Sequence, residues 1–361
     1  MIYLDYQATT PLAPEAREAM LRWLDGPDGT GFGNPHSPHR LGRQAEAAVE
    51  VARERVAALF PPGGTVVFTS GATEALNLAL RGCEPGRTGR PVAIGAIEHS
   101  AVLNTALDLP GDTTILPVDR DGLVDPQVRL PDGVGIVSVM QVNNEIGTIQ
   151  PVADLYARAK AEGALFVCDA VQAAGRMPVA EADLIAVSAH KFHGPKGIGA
   201  LWIRDGVALQ PHTTGGGQEG GLRSGTLSPA LCAGMGAAAQ LALERMAADA
   251  VHVATLWNRA RELFAGWTLN GSATMRWKGN LNLRRDGLDV ARLMSDVREV
   301  MFSAGSACAS ESNKPSRILA AIGLTPEQAR GSIRLGFGRY TTAEELEAAA
   351  EMVNHAAAQQ G

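Results

Sequence analysis

Ser188-Ala-His-Lys-Phe-His-Gly-Pro-Lys-Gly-Ile-Gly199 is the stretch around which the fold is read. An apolar run, Asp183-Leu-Ile-Ala-Val-Ser188, leads into it, and a second, Ile198-Gly-Ala-Leu-Trp-Ile203, leads out. Both predict short buried strands, with Gly194-Pro-Lys-Gly197 as the turn between them. Lys191 then falls just past a strand end, beside Ser188 and His190. A lysine there, among small and polar groups, suits an amine nucleophile. For any single lysine, a solvated hairpin position is the commoner reading, so the rest of the chain must decide.

Outward from this stretch, strand and helix signals alternate. Strands are predicted at Thr65–Ser70, Pro91–Ile97, Thr113–Val118, Gly135–Met140 and Leu165–Cys168, and helices at Pro14–Leu24, Arg40–Leu59, Ala75–Leu80, from Ala101, and at Pro151–Glu162. The alternation predicts an α/β fold with a mostly parallel sheet. Ligands of such sheets bind beyond the carboxyl ends of the strands. Ser70, His99, Asn144, Asp169 and Lys191 all fall just past predicted strand ends. The turn Gly71-Ala-Thr73 between a strand and a helix offers an anion site, or else an ordinary helix start capped by Thr73 or Ser70. A glycine-rich loop spans 26–37, and the densest glycine stretch, Thr213–Thr226, carries polar groups suited to hold an anion. An Ala- and Leu-rich helix is predicted from Pro229 to about Arg261, closing a large domain over 14–250. A smaller α/β domain is expected from residues 1–13 plus 251–361. It has strands at Gly279–Leu283, Val300–Ser303 and Ser332–Phe337, helices at Asp289–Arg298, from Pro315 and from Thr342, and a cysteine-bearing loop at about 303–315.

Composition narrows the function. The 361 residues are 45% hydrophobic and carry a net charge of −6, with no basic cluster for nucleic acid or an anionic membrane. The N-terminus lacks a signal-peptide pattern, and no apolar stretch is long enough to span a bilayer, so a cytoplasmic protein is expected. Cys83, Cys168, Cys232 and Cys308 form no Cys-x-x-Cys pair, which argues against structural zinc and a disulfide framework. His190 and His193 have no evident third metal ligand nearby.

A lysine amine, an anion nest, a carboxylate at a strand end and a histidine are together what pyridoxal phosphate requires. Its aldehyde condenses with a lysine, an acid keeps its ring nitrogen protonated, its phosphate sits on a helix start, and a ring stacks on its face. Asp169 lies about twenty residues before Lys191, on a neighbouring predicted strand.

The same residues carry a resemblance. Tyr3-Leu-Asp-Tyr-x-Ala-Thr-Thr-Pro, Phe32-Gly-Asn-Pro-His-Ser, Phe68-Thr-Ser-Gly-Ala-Thr-Glu, Glu98-His, Val142-Asn-Asn-Glu-Ile-Gly, Asp169-Ala-x-Gln, His190-Lys-x-x-Gly-Pro-Lys-Gly, Arg223-Ser-Gly-Thr, Gly305-Ser-Ala-Cys and Ser332-Ile-Arg resemble cysteine desulfurases. These are a branch of the class V aminotransferase group, among the fold-type I pyridoxal phosphate-dependent transferases. The motifs run in order from Tyr3 to beyond Arg339.

The resemblance implies that Lys191 bonds the cofactor and that His99 stacks on its ring and shuttles protons. Asp169 pairs with the ring nitrogen, and Gln172 bonds the ring oxygen. Asn144 contacts cofactor or substrate. Ala72, Thr73, Ser188 and His190 bind the phosphate, joined by Thr226 from the other subunit of a homodimer. Arg334 and Asn34 hold the substrate carboxylate. Cys308 takes sulfur from L-cysteine as a persulfide, releases alanine, and passes the sulfur to an acceptor such as an iron–sulfur scaffold. No metal is implied at the cofactor site, and Cys308 would meet an iron–sulfur cluster only in passing. A free thiol titrates near ~8.5, so a modest local shift gives useful thiolate.

His193 stands where these enzymes commonly have Tyr, and Glu311 and Lys314 are less usual charges beside Cys308. The chain stops at Gly361, without the C-terminal extension by which longer relatives dock a scaffold. An aminotransferase or a C–S/C–Se lyase of the same fold would use the upstream residues and leave Cys308 incidental. A catalytically silent assembly subunit would have no need of Lys191, His99, Asp169 and Cys308 together.

Overall fold

The computed structural model describes residues 1–305 and 316–360. Its strands, in chain order, are β1 (Ile2–Tyr3), β2 (Gly64–Thr69), β3 (Val92–Gly95), β4 (Thr113–Leu116), β5 (Ile136–Ser138), β6 (Leu165–Asp169), β7 (Leu184–Ser188), β8 (Gly199–Arg204), β9 (Thr268–Leu269), β10 (Asn280–Arg284), β11 (Val300–Met301), β12 (Ser303–Ala304) and β13 (Ser332–Gly336). Seven of them form one sheet in the order β2-β8-β7-β6-β5-β3-β4. Strands β3 to β7 run parallel, and β8 is antiparallel to both its neighbours. The exception has a simple cause. Ser188 pairs with Gly199, and the 189–198 connection is too short to make the crossover that a parallel neighbour needs.

The sheet strands read as continuous apolar runs because both faces are covered. Along β7, Ile185 and Val187 enter one core, with Val49, Val56 and Met235. Leu184 and Ala186 enter the other, with Leu76, Leu80 and Val102. The first core lies under helices Arg40–Ala57 and Pro229–Leu263, the second under Ala72–Gly82 and Ser100–Leu107. Period-two alternation along one strand thus feeds two layers of helix.

A second sheet, β12-β13-β10-β9, is antiparallel throughout. The run predicted as one strand over Val300–Ser303 is divided. Val300–Met301 pairs in parallel with β1, while Ser303–Ala304 pairs with β13. The chain's first residues therefore lie against residues near 300, and Asp5 bridges to Gly336. Helix Pro229–Leu263 joins the two sheet regions and runs unbroken through position 250. Its first half meets Met20 and Ala52 through Gly234 and Gly236, and its second half meets Thr341 and Glu347 through His252 and Arg259.

Several predicted helix limits shift by up to three residues. The first helix ends at Leu21 rather than Leu24, and the third begins at Ala72 rather than Ala75. Neither Ser70 nor Thr73 caps the third helix; its N-cap is Gly71, which has no side chain to close the first turn. Among the described residues no helix is long and apolar enough to cross a membrane.

Candidate active site

A cavity of about 490 Å³ opens at the carboxyl ends of β2, β6 and β7. Lys191 ends the single 3₁₀ turn, Ala189–Lys191, that follows β7. Its Nζ donates to the carbonyls of Gln7 (2.8 Å) and Ala8 (2.7 Å). The N-terminal segment is held there because Thr10 donates twice to the His190 carbonyl, from its amide (2.9 Å) and its hydroxyl (3.0 Å). Burial brings the Lys191 ammonium down to about 8, helped by the nearby charges of Arg176 and Arg334 and opposed by Asp169 and Asp5. A lysine so poised has a useful neutral fraction at physiological pH.

Asp169 closes β6, and its Oδ1 accepts from Val171 N–H (3.0 Å). Burial raises its carboxyl, with His99, the Val171 amide and Lys191 opposing. His99 is the N-cap of helix Ser100–Leu107, where its Nδ1 accepts from Ala101 N–H (3.1 Å). That bond assigns the proton of the neutral ring to Nε2. Gln172 uses one amide hydrogen on the Gln7 carbonyl (3.0 Å), and its Oε1 accepts from Arg176.

The anion side of the cavity is built from the start of helix Ala72–Gly82. Its first N–H groups face outward without a side-chain cap. Gly199 is obligatory beside it, since a Cβ there would meet Val187 O at 2.5 Å and Gly71 Cα at 2.7 Å. Ser188 and His190 line the same side. His190 Nδ1 faces Thr9 Oγ1 (3.1 Å), and burial, with Lys191 and Lys196 nearby, brings its imidazole down to about 4. It is therefore a neutral ring.

The helix start is itself tied to the glycine-rich stretch. Glu74 accepts from Ser70 N–H (2.6 Å) and from Arg223 Nε (2.8 Å). Glu219, in a left-handed conformation (φ 51°), accepts from both Arg53 Nη atoms (2.7 Å each) and from Phe68 N–H (2.6 Å).

Arg334, on β13, reaches the cavity from the second sheet and is 1% exposed. Its Nη2 donates to Asp5 Oδ1 (2.8 Å) and Ser303 Oγ (3.2 Å), and its Nη1 to Asn144 O (3.1 Å). Its Nε is buried and has no partner among the described residues. Asn144 lines the same cavity.

The structure thus gathers Lys191, His99, Asp169, Gln172, Asn144, Ala72, Thr73, Ser188, His190 and Arg334 around one space. Two expected residues lie apart from it. Asn34 is exposed because its Oδ1 turns back to His36 N–H (2.9 Å), and Thr226 is exposed at the end of the glycine-rich stretch. Cys308 lies outside the described residues. Cys168 is buried in the first core, away from the cavity lining.

Sequence reasoning missed Gln7, Glu74, Lys196 and Arg176. The first three line the cavity, and Arg176 ties Gln172 to the carbonyls of Tyr6 (3.3 Å) and Lys191 (2.9 Å). Only Glu74, an acid in the first turn of a helix, carries a local signal.

These residues fit pyridoxal phosphate. An uncapped helix start suits a phosphate, and the buried Asp169 carboxyl, whose charge would be compensated by a cationic partner, suits a protonated ring nitrogen. A poised lysine amine suits the aldehyde.

The family model for class V aminotransferases matches residues 2–349. The cysteine desulfurase IscS of Colwellia psychrerythraea is 41% identical over 377 residues, covering 98% of this chain and 92% of that protein. Among solved structures, one described as a NifS-like protein superposes with a TM-score of 0.90 at 31% identity, covering 98% of both chains. Another, described as SspA in complex with cysteine, aligns with a TM-score of 0.82 at 31% identity, covering 95% of this chain and 100% of that one. The chain belongs to the class V aminotransferase family of pyridoxal phosphate enzymes.

Proposed function

We propose that this chain is a cysteine desulfurase, taking sulfur from L-cysteine and handing it to an acceptor. The observation that carries the reading is the convergence of Lys191, Asp169, His99 and the Ala72–Thr73 helix start with Arg334 from the second sheet. It is supported by the cysteine desulfurases and NifS-like folds that the chain is similar to.

Lys191 is the proposed anchor of the cofactor aldehyde. Ala72, Thr73, Ser188 and His190 hold the phosphate, Asp169 the ring nitrogen, and Gln172, through its remaining amide hydrogen, the ring oxygen. When bound, pyridoxal phosphate supplies an electron sink conjugated to the substrate's α-carbon. His99 presents Nε2–H toward the cavity and exchanges protons there. The unpartnered Nε of Arg334 gives a substrate carboxylate a buried cationic donor, with Asn144 beside it. Cys308 attacks the substrate sulfur, whose bond to Cβ breaks with the pair left on carbon. Carbon takes up a proton, so L-cysteine and the Cys308 thiol become L-alanine and a Cys308 persulfide.

The protein works as a homodimer in this reading. Thr226 is exposed and outside its own chain's cavity, which fits a role at the phosphate of the other copy. An iron–sulfur scaffold is the proposed acceptor class, in keeping with the IscS relative.

The test is mass analysis of the Cys308 peptide after incubation with L-cysteine. The expected result is one added sulfur and stoichiometric alanine. Cys308→Ala keeps the yellow cofactor-loaded state and makes no sulfide. A Cys308→Ala protein that turns over like the parent favours an aminotransferase or lyase instead.

A further inference from the structure

Asp5, in the opening Tyr3-Leu-Asp-Tyr run, is the one acidic side chain paired with Arg334 among the described residues. Its Oδ1 accepts from Arg334 Nη2 (2.8 Å) and from Ser303 Oγ (2.9 Å). Ser303 Oγ in turn accepts from the same Nη2 (3.2 Å), so the three groups close a triangle on one end of the guanidinium. Asn144 O takes the other end, Nη1, at 3.1 Å.

Three distant pieces of chain meet in that triangle. Ser303 on β12 pairs directly with Arg334 on β13. Asp5 follows β1 and bridges to Gly336, on the same strand as Arg334. Gly336 N–H donates to Leu4 O (2.7 Å), and Tyr6 N–H donates to Gly336 O (3.3 Å). The Tyr3 hydroxyl donates to the carbonyl of Asp5 itself (3.2 Å). Backbone pairing on either side thus fixes where the carboxylate stands.

Arg334 lines the cavity and Asp5 does not, so the carboxylate grips the guanidinium from outside the ligand space. A guanidinium that is 1% exposed needs a counter-charge, because a buried cation without one is strongly disfavoured. A counter-ion kept for stability alone needs no particular geometry. Here both Nη atoms are pinned by acceptors on different elements, and the guanidinium plane cannot turn freely. A planar fork recognises a carboxylate in a defined orientation, and a side chain already held in that orientation loses less freedom on binding.

We propose that Asp5 is a positioning residue for substrate recognition: with Ser303 it sets the orientation in which Arg334 meets the substrate carboxylate. The proposal rests on the reading of Arg334 as the carboxylate site. Asp5 touches neither substrate nor cofactor; its effect passes through Arg334.

The test compares two ligands of the cofactor-loaded protein. L-Alanine carries an amine and a carboxylate, and ethylamine is the same molecule without the carboxylate. Neither holds sulfur, so the measurement is independent of Cys308 and of sulfur transfer. The quantity read is the concentration of each ligand that half-saturates the absorbance change of the bound cofactor. For Asp5→Ala the L-alanine value rises about tenfold or more, the scale of a charged hydrogen bond lost or misplaced, while the ethylamine value stays within about twofold. Asp5→Asn keeps an oxygen for Nη2 and Ser303 and recovers part of the loss. Arg334→Met raises the L-alanine value as well, and adding Asp5→Ala to it costs no more than about twofold further, because the group being positioned is gone. Asp5 also opposes the fall of the Lys191 amine, but a change there is felt by both ligands alike. If Asp5→Ala does not fold, Ser303→Ala removes another corner of the triangle and raises the L-alanine value alone.

Equal losses for the two ligands make Asp5 a structural counter-ion and overturn the proposal. So does an L-alanine value equal to the parent's, or a second full loss on top of Arg334→Met. An Arg334→Met protein that binds L-alanine like the parent is a separate outcome: it removes Arg334 from the carboxylate site and takes the proposal with it. The desulfurase reading fails on a different observation, the absence of a Cys308 persulfide.

Discussion

The protonation of Lys191 offers the sharpest quantitative test of the site. In the folded chain without cofactor, burial and the charges of Arg176 and Arg334 bring this amine from 10.5 to about 8. In the unfolded chain it returns to about 10.4. Between those values the unfolded state binds more protons than the native state, so stability rises with pH across that window. Below pH 8 the full cost of holding a buried ammonium is present; above the unfolded value it is gone.

Bringing the amine from 10.5 to about 8 corresponds to about 3 kcal/mol. Lys191→Met removes the group and gives the reference. Urea denaturation of the cofactor-free protein and the variant between pH 7 and 11 is the assay. The parent gains about 3 kcal/mol on the variant over that range. A second readout is the rate at which the cofactor-free protein captures pyridoxal phosphate. With an amine at about 8, roughly one molecule in eleven is neutral at pH 7, about 300-fold more than for an unperturbed lysine. The capture rate then rises tenfold per pH unit and levels off above 8. A rate still climbing at pH 10, with no stability difference between the proteins across the window, refutes the reasoning.

Other perturbations reach different parts of the structure. Asp169→Asn removes the carboxylate proposed for the ring nitrogen; the protein still loads cofactor, and alanine formation from L-cysteine drops by about 100-fold or more, read from single-turnover assays. Gly199→Ala puts a Cβ against Val187 O and Gly71 Cα, so both the β7–β8 pairing and the helix start are strained; a loss of about 1–3 kcal/mol in denaturation, together with weaker cofactor retention, is expected. Arg53→Met leaves the Glu219 carboxylate, 2% exposed, with only the Phe68 amide; about 3–5 kcal/mol of stability is lost, and Glu219→Gln in the same background returns part of it. An Arg53→Met protein as stable as the parent shows that the buried Arg53–Glu219 pair contributes nothing to the stability of the fold.

How much of this was legible in the sequence follows from how local each signal is. The strand at Leu184–Ser188 and the position of Lys191 after it were readable because burial on both faces leaves an uninterrupted apolar run ended by a turn. The long helix from Pro229 was readable because Ser228 and Pro229 mark its start and its Ala- and Leu-rich pattern has no breaker. The division of 300–304 between two sheets was not, since it depends on β1 and β13, each far away in sequence. Arg176 was missed for the same reason. It follows Ala173-Ala-Gly, a run with no charge pattern, and its burial arises only when Tyr6 and Lys191 close over it. Asn34, expected at the substrate carboxylate from the family resemblance, lies outside the cavity of its own chain, where its Oδ1 accepts from His36 N–H.

The parallel pairing of β1 with β11 also bears on how the chain matures during synthesis. Ile2 leaves the ribosome first, yet its partner Val300 emerges only after most of the chain. The carbonyls of Gln7 and Ala8 that hold Lys191 are likewise displaced in time from Arg334, which shares their cavity. At ~5–20 residues per second, roughly a quarter of a minute to a minute separates the two ends of that pairing. Through that interval the central sheet can form while its cofactor pocket lacks a wall. What waits for the last strands is then the substrate side of the pocket: truncation or stalling before β13 leaves a chain with Lys191 and its neighbours in place and no Arg334 to meet a carboxylate.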